Sequence, residues 1–115
     1  MEKGKDKIYC KHILDAIEEI ESFTKGMTFK DFEKDKKTQR AVTRDLEIIG
    51  EAAKRLSKEQ TDKYEQIPWR NIAGMRDFLI HDYMDVDLKE IWKAATEDIS
   101  ELKEVITKMI NDINY

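Results

Sequence analysis

The chain has 115 residues, 40% of them hydrophobic and another 40% charged, with a formal net charge of −4. That length fits one domain, 1–115, which buries about two-thirds of the surface its unfolded chain exposes and so needs no disulfide or metal. One Pro and four Gly are too few for the turns of an all-β sandwich. The apolar fraction is low, but its strict periodicity excludes a disordered chain. Cys10 is the single cysteine, which excludes an internal disulfide and a cysteine zinc cage and fits a reducing compartment. No run approaches the ~20 apolar residues of a membrane span. The opening MEKGKDKIYCK lacks the apolar stretch of a signal peptide. A cytoplasmic protein with no membrane contact and no cofactor is expected.

A first helix is predicted from about Lys5 to Lys25, with Ile13, Ala16, Ile17, Ile20 and Phe23 as its apolar stripe. Gly26 then reads as a C-cap glycine. Thr28 with Asp31 opens a further helical stretch. Phe29 and Phe32 lead through a charged patch into Ala41, Val42, Leu46, Ile49, Ala52, Ala53 and Leu56. This is either one long helix or a short one followed by a long one. Gly50 inside it costs about 1 kcal/mol relative to Ala, which points to close approach of a neighbouring helix.

Residues 57–67 are polar and read as a loop. Pro68 then stands at a first helical position, followed by Trp69, Ile72, Met75, Leu79 and Tyr83. Asp82, Asp85 and Asp87 mark the end of that helix. The last helix runs from about Leu88 to Asn111 on Leu88, Ile91, Trp92, Ala95, Ile99, Leu102, Ile106, Met109 and Ile113. Asp87 and Glu90 form an Asp variant of the capping box at its start. Trp92, Ile99 and Leu102 are expected in the core. The fold class is all-α, an up-and-down bundle of four to five antiparallel helices.

Charge is unevenly spread. Residues 28–58 carry nine basic and six acidic groups, net +3, whereas residues 84–115 carry four and eight, net −4. The basic segment, with Arg40 and Arg44, suits a polyanion. Ordinary solvated helix faces account for it equally well.

The chemistry that is missing narrows the field. There is no Gly-rich phosphate loop, no HExxH and no His pair at metal spacing. His12 lies beside the apolar stripe of the first helix, where a structural or exposed role is the ordinary one. His81 stands in Arg76-Asp77-Phe78-Leu79-Ile80-His81-Asp82-Tyr83. At 100° per residue Asp77 and His81 share a face, as do Arg76 and Tyr83. Arg76 and His81 stand about 140° apart. They meet only if the helix ends near Ile80 or if a second copy of the chain supplies one of them. Helix capping and pairing with Asp77 and Asp82 is the structural alternative.

Two stretches carry a family resemblance. Glu47-Ile48-Ile49-Gly50-Glu51-Ala52-Ala53-Lys54-Arg55-Leu56 is one. Ile67-Pro68-Trp69-Arg70-Asn71-Ile72-Ala73-Gly74-Met75-Arg76, running on through His81, Tyr83, Val86, Asp87, Leu88 and Trp92, is the other. Together they resemble the HepT-like HEPN-domain ribonuclease toxins over nearly the whole chain. Arg76-x4-His81-x-Tyr83 is similar to the Arg-x(4–6)-His motif of HEPN ribonucleases, in the form with the extra Tyr. Asp85 departs from the pattern, where relatives often carry Gly.

The resemblance implies a HEPN-like bundle and a homodimeric, metal-independent RNase toxin with Arg76 and His81 lining the cleft between protomers. It implies an antitoxin partner, a minimal nucleotidyltransferase that adds AMP to the motif tyrosine, here Tyr83. The chemistry agrees. RNA carries its own nucleophile in the 2′-OH, so His81 for proton transfer and Arg76 for phosphoryl charge suffice. Asp77 would orient or hydrogen-bond the imidazole, and Arg40 and Arg44 would touch the RNA backbone. The competing readings are a non-catalytic helical module that docks onto a nucleotidyltransferase, and a plain dimerisation domain.

Overall fold

A computed structural model describes residues 3–81 and 87–113, with backbone alone for residues 3 and 76–81. After a short 3₁₀ turn, α1 spans Asp6–Thr24, α2 Phe29–Lys34, α3 Lys36–Lys54, α4 Lys58–Thr61, α5 Trp69–His81, α6 Leu88–Lys93 and α7 Ile99–Asp112. A π-helical segment, Ala94–Asp98, joins α6 to α7. All regular structure among the described residues is helical. The expected bundle is present, with α1, α3, α5 and the α6–α7 rod as its long elements.

The caps show why the chain breaks where it does. Gly26 adopts φ +76°, a left-handed conformation that ends α1 at little cost only for glycine. The Thr28 hydroxyl accepts the Asp31 N–H, and the Asp31 carboxylate accepts the Thr28 N–H at 2.9 Å. This reciprocal box starts α2. Asp35 then interrupts the helix. Its carboxylate takes the Thr38 N–H at 3.0 Å and the Thr38 hydroxyl at 2.7 Å, capping α3. The stretch from Thr28 to Leu56 is therefore a short helix followed by a long one.

α3 runs antiparallel to α1 and packs on it and on α5, while α7 closes over α1. A buried link fixes the first pair: the Asp6 carboxylate accepts the Ser57 N–H at 2.8 Å and the Ser57 hydroxyl at 2.6 Å, across 51 residues. Lys103 on α7 reaches Glu21 near the end of α1 at 2.8 Å. Ile13, Ile17, Ile20, Phe32, Val42, Ile49, Ile106 and Met109 are fully buried between these helices. Gly50 is also buried, in keeping with a crowded position on α3.

Five expectations are corrected. The polar run 57–67 is not all loop, since Ser57 caps the one-turn helix α4 and Ser57, Gln60 and Ile67 are buried. Phe23 is 40% exposed, because the three-residue step from Ile20 turns it to the edge of the stripe. Trp92 is half-buried at the rim, its ring 5.1 Å from that of Phe32 and 6.4 Å from that of Phe29; Ile99 and Leu102 are buried as expected. Asp87 caps α6 through the Lys89 N–H at 2.9 Å rather than through a box with Glu90. Pro68 precedes the first residue of α5, and its carbonyl accepts the Ile72 N–H at 3.0 Å.

Candidate active site

α5 carries the motif, and its start is firmly held. Ile67 is 3% exposed beneath it. The Trp69 indole N–H donates to the Tyr64 carbonyl at 3.0 Å, and the Tyr64 hydroxyl reaches Asp112 on α7 at 3.3 Å. Trp69, Ile72 and Met75 then lean half-buried on the core.

The helix continues through His81. Its last described residue, His81, lies one position beyond Ile80. Five residues of continuous helix separate the backbone positions of Arg76 and His81 by about 7.5 Å along the axis and about 140° around it. Asp77 and His81 stand one turn apart on one stripe. Tyr83 and Asp85 lie outside the described residues.

The stripe holding Asp77 and His81 continues backwards to Gly74 and Arg70, at spacings of four, three and four. Arg70 is exposed and shares a shallow hollow with Asn71, Gly74, Met75 and Glu90. A Cβ at Gly74 would meet no atom within 4 Å, so this stretch of α5 faces open space. The sequence held this signal in the spacing of Arg70 to His81, eleven residues or three turns, which a reading centred on Arg76 passes over.

Two grooves flank the same helix. One of about 380 Å³ separates Asn71, Ile72 and Met75 from Glu97, Asp98 and Glu101. The other, of about 280 Å³, lies between Met75, Leu46, Glu90, Lys93 and Asp98. Carboxylates dominate both rims, Lys93 being the basic residue among them.

Arg40 and Arg44 are exposed on α3. Arg44 contacts Glu47 at 3.5 Å and lines a groove with Tyr9 and His12 on the α1 side of α3. His12 is exposed, its ring 6.4 Å from Tyr9. Cys10 is fully buried. Burial, then the nearby Asp6 charge, pushes its thiol up to about 12, so it is no nucleophile. Among the described residues no three His, Cys, Asp or Glu side chains are grouped to hold a metal ion. Nor is any helix long and apolar enough to cross a membrane.

The helical bundle gives the fold class, and comparison with known proteins gives the family. The model of the "Ribonuclease HepT-like" family matches residues 13–109, and the chain belongs to that family. It is 49% identical over 107 residues to a "Probable ribonuclease HepT" of Thermococcus cleftensis, covering 93% of this chain and 97% of that protein. It is 44% identical over 102 residues to a "Putative RNase" of Caldanaerobacter subterraneus subsp. tengcongensis, covering 89% and 91%. It is 48% identical over 108 residues to a "Gamma-glutamylcyclotransferase and putative RNase" of Methanocaldococcus jannaschii. That match covers 94% of this chain but 49% of the relative. No solved structure matches it.

Proposed function

We propose that this member of a ribonuclease family is the toxin of a toxin–antitoxin pair, cleaving RNA with Arg76 and His81 and without a metal ion. The observation that carries the reading is the continuous helix through His81. Helical backbone over both motif positions supports a composite reading, in which a complete site takes Arg76 from one copy and His81 from another. The active form is then a two-fold dimer with α5 at the interface.

In the reaction, His81 accepts the proton of the 2′-OH. The 2′ oxygen forms a bond to phosphorus and the bond to the 5′ oxygen breaks, the leaving oxygen taking up a proton. The products are a 2′,3′-cyclic phosphate and a 5′-OH. Arg76 holds the phosphoryl oxygens as charge builds on them. Asp77, one turn from His81, orients the imidazole. Arg70 on the same stripe, and more remotely Arg40 and Arg44, hold flanking phosphates.

Control falls to a nucleotidyltransferase antitoxin that transfers the AMP unit of ATP to Tyr83: the phenolic oxygen bonds to the α-phosphorus, its proton is released, and the bond to pyrophosphate breaks. The added phosphate competes with RNA for Arg76 and the nucleoside blocks the cleft. The acidic rims beside α5 favour a second reading, a non-catalytic module that docks a nucleotidyltransferase.

One set of measurements tests both. Purified chain should cut RNA in EDTA. His81→Ala and Arg76→Ala should each lose at least about 10²-fold in rate with an unchanged circular dichroism spectrum. Loss of cleavage on chelation overturns the metal-free mechanism. No cleavage by the wild type, with a stable complex to the neighbouring nucleotidyltransferase, establishes the docking module. Tyr83→Phe should stay toxic beside the antitoxin, and an unmodified Tyr83 peptide from neutralised wild type excludes the modification.

A further inference from the structure

Outside its core stripe, α1 carries a second one. Ile8, His12, Asp15, Glu19 and Phe23 follow at spacings of four, three, four and four, within about 80° of arc. Ile8 and Phe23, 51% and 40% exposed, are the large hydrophobic residues left exposed among those described. Both lie on this one stripe, at its two ends, about 22 Å apart. Alongside runs the groove between α1 and α3, floored by half-buried Tyr9 and Ile48 and by Ala52.

The charges of α1 are sorted along its length. Beyond Asp6, which is buried against Ser57, Lys7, Lys11 and His12 occupy the first part, and Asp15, Glu18, Glu19 and Glu21 the rest. Asp6, in the first turn, suits the helix macrodipole, whereas the bases after it and the acids of the later turns do not. These remaining charges suit a second α1 laid antiparallel, where the basic part meets the acidic one.

A separate observation marks the same face. Asp45 on α3 is 3% exposed, and its Oδ2 has no hydrogen-bond partner among the described residues. Its side chain shares a hydrogen bond with Glu19 of α1, and Arg44, whose charge also acts on it, contacts Glu47 at 3.5 Å. Burial and Glu19 push its carboxyl up to about 7. Two carboxyls packed together at this face share a proton, and a cation brought there from outside the chain would be favoured.

We propose that the α1–α3 face is a second contact surface between copies of this chain, packed antiparallel about a two-fold axis passing between Asp15 and Ala16. About that axis residue n meets residue 31 − n. Ile8 then covers the partner's Phe23, and His12 approaches the partner's Glu19, beside Asp45. Lys11, one turn before Asp15, offsets the charge of the two Asp15 carboxylates near the axis. This surface is independent of the ribonuclease reading and lies on α1, not α5. Two isologous faces on one chain build assemblies larger than a dimer.

A short bismaleimide cross-linker tests the register. Ile8→Cys protein mixed with Phe23→Cys protein should give a covalent dimer. Either variant alone should not, because each position lies about 22 Å from itself across the axis. Cys10, buried and held protonated, leaves the wild type as an unlinked control. His81→Ala in both chains should leave the cross-link unchanged, which separates this result from any outcome of the RNA assay. By sedimentation velocity the double variant Ile8→Glu/Phe23→Glu should fall to about half the wild-type mass. No mixed cross-link, equal linking by one variant alone, or an unchanged mass each overturns the proposal.

Discussion

The α1–α3 seam and α5 are built to different standards within one bundle. Across the seam Ile13, Ile17, Ile20, Val42 and Ile49 have no exposed surface, and the Asp6–Ser57 link closes one end. On α5 the described apolar residues after Ile67 are half-buried, and grooves open beside Ile72 and Met75. The seam is complete within one chain. α5 is anchored at its start, and open grooves flank its described side chains at Ile72 and Met75.

The largest test of this contrast is truncation. Leu102→Ala, on a side chain 1% exposed, should cost about 2–5 kcal/mol. Met75→Ala beside the grooves should cost well under half as much, since less burial is lost. Chemical denaturation measures both. Equal losses would mean that α5 is as much core as α7. The link at the end of the seam comes next. Asp6→Ala leaves the Ser57 N–H and hydroxyl without their buried acceptor and should cost about 2–3 kcal/mol. A loss under about 0.5 kcal/mol would move the closure of that end to Ile67 and Leu56.

What the sequence made legible follows the same division. Local signals were readable: the left-handed Gly26, the Thr28–Asp31 box, the α7 stripe and Arg76-x4-His81 all lie within one or two turns of chain. Contacts between distant segments were not. Ser57 stands in a polar run and reads as loop, because its partner Asp6 is 51 residues away. Phe23 satisfies the apolar spacing but faces outward, since periodicity gives an angle and says nothing of where the neighbouring helix ends. The π segment at Ala94–Asp98 leaves the three-and-four spacing of α6–α7 intact and so was invisible. The candidate site divides likewise: Arg76, Asp77 and His81 are marked by local spacing, but what each side chain meets depends on contacts that local spacing does not encode.

The smallest expected effect concerns pH at the seam. Asp45 faces Glu19 from α1 and has Arg44 beside it on α3, and burial with Glu19 raises its carboxyl from 3.8 to about 7. Between those values the folded chain keeps a proton that the unfolded chain has released. The unfolded state binds fewer protons there, so stability falls as pH rises through the window and levels off above about 7. Other carboxylates act in the opposite sense: Asp31 and Asp35, lowered by the backbone N–H groups they cap, lose their contribution only in acid. Asp45→Asn keeps the shape and removes the titrating proton. Its thermal midpoint should exceed that of the wild type at pH 8 and approach it below about pH 4. The difference between the two proteins, plotted against pH, should rise between about 4 and 7. A difference that does not vary with pH would mean that Asp45 is ionised in the fold and that a cation already reaches it.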